Sequence, residues 1–361
     1  MWLVFLPTSK FEALVQRGVS IALHSMLHNL PHFSDVLAHE NSVRCMLVRS
    51  GTSRVLLLDG TEIKSGKVGL EQIRRVMLGA DNCGGYGGRT SQDNKVAIVW
   101  PVNEEGVFRY KFLQVVAQSG AILPMECSNS ASASAMMAQF STHPDNRHNL
   151  LRATNLSTAQ KVELRPSSRE GVASAWHIRF LADKASREAL SGLGSSFRVS
   201  SRGRSIQINP VFLGNLFLFS EIHPSEVDRE MAEIIAKEGL AAACNAGWTA
   251  PEDYEPKVIP FHTPDVRERA VETASFYHGE LHRSMPGSAA MALASFLEVR
   301  GSQPKSKTPR WTVHHSSGAF EVRLGLSQSA GEREIAWTEF TTPVRLLGWG
   351  VAALGSARRK R

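Results

Sequence analysis

The chain has 361 residues, 42% of them hydrophobic and 21% charged, the balance of a soluble globular protein long enough for two cored domains. Its 41 basic against 34 acidic side chains leave a formal charge of +7, part of it in the closing Arg358-Arg359-Lys360-Arg361; without aromatic–basic interleaving or a nucleic-acid module, that excess points to a small anion rather than to nucleic acid. No run approaches the roughly 20 apolar residues of a membrane span, and Trp2–Leu6 is too short for a secretory signal, so a cytoplasmic protein without a membrane partner is expected.

Residues 1–40 read as a helical extension, with Phe11, Leu14, Val15, Val19, Leu23, Met26 and Leu27 in a loose helical period. The texture then changes. Strands are expected at Val43–Val48 and Val55–Leu58, followed by a short amphipathic helix over Glu71–Leu78. A glycine-rich loop, Gly84-Gly85-Tyr86-Gly87-Gly88, precedes a strand from Lys95 to Trp100 and another from Tyr110 to Gln118. The loop matches neither the G-x-x-x-x-G-K-[ST] phosphate cradle nor a dinucleotide fingerprint. Cys45, Cys83, Cys127 and Cys244 show no C-x-x-C spacing, and the close pairs His278/His282 and His314/His315 lack a third ligand. No metal site and no disulfide framework is expected.

Two segments stand out by their likeness. Ser128–Phe140 (SNSASASAMMAQF) and Gly287–Leu297 (GSAAMALASFL) are built from Ala, Ser and Met and carry no charge. A surface helix would show a charged face, so both are expected to be buried all round. Each opens on a polar residue suited to capping, Ser128 or Asn129 and Ser288. In a β-rich context they predict an α+β fold of two pseudo-symmetric halves, each a mostly antiparallel, barrel-like sheet around a central helix. The expected divisions are the extension 1–40, a first domain over 41–210, a second over 211–350 whose last strands return to the first, and a basic tail over 351–361. Two helix N-termini facing across a cleft would hold carboxylates.

Six stretches then occur in a familiar order. They are Met46-Leu47-Val48-Arg49-Ser50-Gly51-Thr52-Ser53-Arg54, Gly87-Gly88-Arg89-Thr90-Ser91-Gln92-Asp93-Asn94-Lys95-Val96, Cys127-Ser128-Asn129, His282-Arg283-Ser284-Met285-Pro286-Gly287-Ser288-Ala289, His314-His315-Ser316-Ser317-Gly318 and Thr341-Thr342-Pro343-Val344-Arg345-Leu346-Leu347. Together they resemble the methylaconitate isomerase (PrpF-type) family, whose members have the diaminopimelate-epimerase-like fold. Departures are Arg54 for the family's lysine, Ser128 for the glycine after the cysteine, and Ser316 for a proline.

The resemblance implies a cofactor-independent isomerase that shifts a proton on an unsaturated polycarboxylic acid of the aconitate or methylaconitate kind. Such a shift needs a base, an acid, and hydrogen bonds or positive charge on the developing dienolate. Lys95 is implied as the principal base or acid, and Cys127 as the second proton carrier or a group orienting the substrate. An ammonium and a helix N-terminus beside Cys127 would ease its ionisation. Arg49, Ser50, Thr52, Ser53, Thr90, Ser91, Ser128, Asn129 and Ser288 are the residues expected to hold the small carboxylate substrate. His282, His315 and Ser317 stand behind them, the histidines more readily read as satisfied core residues. The alternatives are a tautomerase or double-bond isomerase of a larger biosynthetic intermediate, and a non-catalytic binding protein. Either a monomer or a homodimer is compatible with the sequence.

Overall fold

A computed structural model describes residues 42–63, 69–79, 85–88, 90–140, 148–167, 175–182, 196–201, 203–251, 253–263, 268–282, 284–301, 306–329 and 332–353. The expected extension 1–40, Cys83, Gly84, Arg89, Arg283 and the closing basic residues lie outside them. Two units are distinguished. One takes the described residues up to Met125, then Asn129–Ile178 and those from Thr342 on; the other takes Glu126–Ser128 and Arg179–Thr341.

The first unit opens with β1 (Ser42–Ser50) and β2 (Ser53–Asp59), an antiparallel pair in which Ser50 faces Ser53. Gly51 turns the chain with φ +52, a conformation costly for any residue with a Cβ. Helix α1 (Leu70–Leu78) then carries the chain over to β3 (Lys95–Val99), which runs parallel to β2. β4 (Val107–Val115) returns antiparallel, with β5 (Ile122–Pro124) paired to its end. Helix α2 (Ser128–Phe140) forms the next crossover, to β6 (Leu151–Asn155) parallel to β4, and β7 (Lys161–Pro166) pairs antiparallel with β6. β8 (Ala175–Leu181) follows and pairs with β18 (Glu332–Ala353), whose last residues lie antiparallel to β1. The mixed α+β structure contains a closed barrel of 8 strands.

Alternation along the strands sorts the barrel into two layers. On one face Val43, Cys45, Leu56, Leu58, Val96, Ile98, Leu113 and Val115 pack with Ile73, Val76, Met77 and Leu78 of α1. Each such side chain contributes about 1.5–3 kcal/mol when fully buried. The opposite face carries Ser50, Ser53, Val55, Lys95 and Gln114, and α2 meets it: Ser50 Oγ and Ser132 Oγ are 2.6 Å apart. The sequence of α2 predicts a helix buried all round, and its residues from Ser128 to Ala138 are buried or nearly so.

The second unit contains β9 (Phe197–Ser201), β10 (Arg204–Phe212), β11 (Leu216–Glu221), α3 (Arg229–Asn245), β12 (Lys257–His262), β13 (Ala270–Thr273), the short pair β14 (Phe276–Tyr277) and β15 (Glu280–Leu281), α4 (Gly287–Arg300), β16 (Arg310–His315) and β17 (Gly318–Ser329). Its order repeats that of the first unit. β10 and β11 are antiparallel, α3 leads to β12 parallel to β11, β13 returns antiparallel, and α4 leads to β16 parallel to β13, with β17 antiparallel to it. β17 then pairs with the first half of β18.

Asp228 caps α3 by accepting the Met231 N–H at 3.0 Å. Gly239 lets this helix lie close on the sheet, since a Cβ there would stand 2.3 Å from Leu218 Cδ1. α4 is buried from Gly287 to Glu298, and Phe296 sits between Phe219 and Phe261 at ring distances of 5.2 and 6.1 Å. The expectation that Ser288 caps α4 is corrected. Pro286 holds the cap position without a side-chain bond, and Ser288 lies inside the first turn; proline's missing N–H and fixed φ suit it to a helix start.

Candidate functional site

In the first unit, polar side chains converge on the turn between β1 and β2. Asn129, the second residue of α2, donates from Nδ2 to Ser53 Oγ at 2.9 Å and accepts from Thr342 Oγ1 at 3.4 Å. Gly51 N–H donates to Pro343 C=O at 2.8 Å. A Cβ on Gly51 would lie 3.0–3.3 Å from the Asn129 amide and 3.1 Å from Thr342 Oγ1, so the turn can close onto the helix start only as glycine. Ser50, Ser53 and Asn129 thus meet at this turn, and Thr52 joins them through Gln92 Nε2, which donates to Thr52 Oγ1 at 3.2 Å.

Lys95 opens β3 directly beside this cluster. It pairs in register with Val55 on one side and Gln114 on the other, and is only 9% exposed. Lysine is rarely buried to this degree without a partner, and Lys95 has polar company in the structure. The segment before it is tied down at several points. Gln114 Nε2 donates to Ser91 C=O and Asn94 C=O, both at 2.9 Å, and Arg54 N–H donates to Gln92 C=O at 3.0 Å. Thr90 Oγ1 donates to Asp93 Oδ2 at 2.9 Å, while Asn94 exchanges two 2.8 Å bonds with the Gly88 backbone.

The glycine loop acquires a mechanical meaning here. Tyr86 N–H and Gly87 N–H donate to Val76 and Met77 C=O at the end of α1, and a Cβ on Gly87 would lie 2.0 Å from Asn94 Oδ1. The glycines permit close packing that fixes the entry to Lys95.

The second unit holds the other constellation. Cys127 is buried, and its backbone N–H donates to Oε1 of the preceding Glu126 at 2.9 Å. Ser128, also buried, lies beside the start of α4, where a Cβ on Gly287 would stand 2.6 Å from Ser128 Oγ and 2.3 Å from Phe340 Cζ. Ser288 is the next residue of α4 and is buried too. Phe340 contacts Phe320 at 5.9 Å, and Phe320 contacts the His315 ring at 5.3 Å. His315 therefore backs this group through two aromatic rings. Burial, with a smaller contribution from His314, holds its pKa below the ordinary histidine value. Ser317 N–H donates to His315 Nδ1 at 3.2 Å.

Three expected residues stand apart from these groups. Arg49 is exposed, alternation turns it away from Ser50, and its Nη1 donates to Thr52 C=O at 3.1 Å, closing the turn from outside. Thr90 is engaged with Asp93. His282 is half-buried, with Nδ1 hydrogen-bonded to Ser284 C=O. Conversely, Gln92, Asn94, Gln114, Glu126 and Asn215 order the site without having drawn notice in the sequence. Gln92 and Asn94 lie inside the motif that leads to Lys95, which was the available signal; Asn215 lies far from any motif. Among the described residues no three His, Cys, Asp or Glu side chains converge to hold a metal ion, and no helix is long and apolar enough to cross a membrane.

No family model matches the chain, and no curated protein matches it in sequence. Its fold is shared with solved structures. Methylitaconate-delta-isomerase is similar at a TM-score of 0.60 and 15% identity, over 89% of this chain and 98% of that one. A hydroxyproline epimerase from Agrobacterium vitis, with trans-4-OH-L-proline bound, is similar at 0.56 and 15% identity, over 88% and 94%. A PhzF-family phenazine biosynthesis protein from Bacillus anthracis is similar at 0.51 and 10% identity, over 86% and 99%. The chain has the diaminopimelate-epimerase-like fold that the resemblance in its motifs implies.

Proposed function

We propose that the protein is a cofactor-independent isomerase that moves a double bond by a 1,3-proton shift on a small unsaturated polycarboxylic acid of the aconitate or methylaconitate kind. The observation that carries this reading is the burial of Lys95 on the strand face shared with Ser50 and Ser53, at the end of a segment pinned by Gln92, Asn94 and Gln114. Holding a lysine there costs desolvation. The likeness in fold to methylitaconate-delta-isomerase supports the reaction class.

In this reading Lys95 removes the proton beside a carboxylate, and the charge spreads into a dienolate. Ser53, Asn129 and the positive dipole end at the start of α2 stabilise that charge. Cys127 returns a proton two carbons away. Ser50, Thr52, Ser91, Ser128 and Ser288 supply further hydrogen bonds to the substrate carboxylates.

The test is proton exchange in deuterated water with cis-aconitate, 2-methylaconitate and itaconate-type acids. Deuterium should enter the allylic position with the unmodified protein and fail to enter with Lys95→Ala. Cys127→Ser should slow isomerisation at least tenfold, since a positioned general acid or base is worth about 10²–10⁴. Exchange that survives both substitutions would sink the assignment.

A further inference from the structure

Glu126 is a buried acid for which the proposed chemistry has no use. It is only 3% exposed, it directly precedes Cys127, and its own side chain folds back so that Oε1 accepts the Cys127 N–H at 2.9 Å. Its backbone is clamped on both sides by one residue. Glu126 N–H donates to Asn215 Oδ1 at 3.3 Å, and Asn215 Nδ2 donates to Glu126 C=O at 2.8 Å. Asn215 is itself buried in the turn between β10 and β11. The neighbouring Gly214 has φ +65 and no room for a side chain, because a Cβ there would stand 2.3 Å from Glu126 Cβ. The turn is shaped to receive this glutamate.

A backbone N–H ahead of a helix needs an acceptor, and a neutral one would serve. Burying a carboxylate costs far more than burying an amide. The oxygen that takes the Cys127 N–H belongs to the residue next to the thiol, and a negative charge in that place makes a thiolate harder to form. It also occupies the Cys127 N–H, leaving the anion-binding role to the N–H groups that follow.

We infer that Glu126 is a positioning residue that keeps Cys127 in its protonated thiol form, so that Cys127 donates the second proton and does not abstract the first. The inference rests on the isomerase reading for the direction of proton flow. A base takes H⁺ from the allylic carbon, the electron pair shifts through the double bond, and the S–H bond breaks as a C–H bond forms at the far carbon. The thiolate then regains H⁺, and the base releases its own to solvent.

The experiment is the rate of Cys127 carbamidomethylation by iodoacetamide on the folded, full-length protein near pH 7, quantified by peptide mass spectrometry. Glu126→Gln keeps an acceptor for the Cys127 N–H but removes the charge. Each tenfold gain in thiolate is partly offset by lower nucleophilicity, so Cys127 should react at least about threefold faster in this variant. Glu126→Asp should stay near the unmodified rate. An unchanged or slower rate in Glu126→Gln would overturn the inference. Should that variant fail to fold, the infrared difference between the unmodified protein and Cys127→Ser decides. An S–H stretch that persists at about pH 9, above the ordinary thiol value of about 8.5, and is lost there in Glu126→Ala supports the inference; a stretch already lost in the unmodified protein, or persisting in both, overturns it. Neither readout involves a substrate, so they stand or fall separately from deuterium exchange.

Discussion

Ser50 Oγ, at the end of β1, lies 2.6 Å from Ser132 Oγ in α2, and both side chains are fully buried. Ser132 Oγ also donates to Asn129 C=O at 3.1 Å. The bond therefore fixes both the rotation of the helix and the height of the residue that meets Ser53. Ser132→Ala should destabilise the protein by about 1–3 kcal/mol, because it takes this partner from the buried Ser50 hydroxyl, and Ser50→Ala should cost less, because Ser132 keeps its bond to Asn129 C=O. The double variant should cost clearly less than the sum. Urea unfolding of the three variants checks this, and strict additivity would show that the two hydroxyls are not coupled.

Gly51→Ala should be worse than its single methyl suggests. The added Cβ meets the Asn129 amide and Thr342 Oγ1 in a left-handed backbone conformation, so strain of about 1–2 kcal/mol adds to the steric displacement. The displaced group is the proposed substrate contact Asn129. Isomerase activity should thus fall more steeply than thermal stability, and an active, merely less stable variant would remove Asn129 from the site.

How much of this was legible in the sequence follows from the kind of signal each feature leaves. The two central helices were visible because burial on all sides leaves no charged face, and Ser128–Phe140 and the uncharged stretch Gly287–Leu297 of Gly287–Arg300 fall where that composition places them. The partner of each strand was not. Val55–Leu58 and Lys95–Val99 are both buried on two faces, so their residues do not encode that they run parallel. Likewise nothing in Glu332–Ala353 announces that one strand pairs first with β17 and then with β1. Single motif residues such as Lys95 and Cys127 could be picked out because chemistry restricts residue type. Glu126 and Asn215 stand 89 positions apart and become a pair only in the folded chain.

Gly287→Ala probes the opening of the second buried helix. Its new Cβ would overlap the Phe340 ring and Ser128 Oγ, and such overpacking costs about 1–3 kcal/mol. Phe340→Leu should relieve most of the clash with the ring while leaving that with Ser128. The pair Gly287→Ala/Phe340→Leu should accordingly be less destabilised than the two single costs combined. Denaturation midpoints at equal slope measure it; a double variant as unstable as the sum would mean that the ring is not the obstacle.

Cys45 offers an internal reference for thiol chemistry. Burial, aided by the charge of Glu62, pushes its pKa up to about 12. Only the thiolate reacts, so Cys45 should resist iodoacetamide in the folded protein at pH 8 while the exposed Cys244 is modified. Both should react alike in urea. Rapid labelling of Cys45 under native conditions would show that the layer between α1 and the barrel opens readily.

Glu71 supplies an acid-side test with a definite sign. Hydrogen bonds from Arg74 and then Arg75 pull its pKa from 4.5 down to about 2. Because the unfolded chain takes up this proton first, the stabilisation is present in full above the ordinary carboxylate value and is lost as pH falls toward 2. The three side chains are well exposed, so solvent screening limits the effect to under about 1 kcal/mol. Glu71→Gln should therefore lower stability slightly at pH 7 and not at all near pH 2, with the two stability curves converging in between. High salt should shrink the difference at pH 7. A gap that persists at pH 2 would assign Glu71 a packing role in place of an electrostatic one.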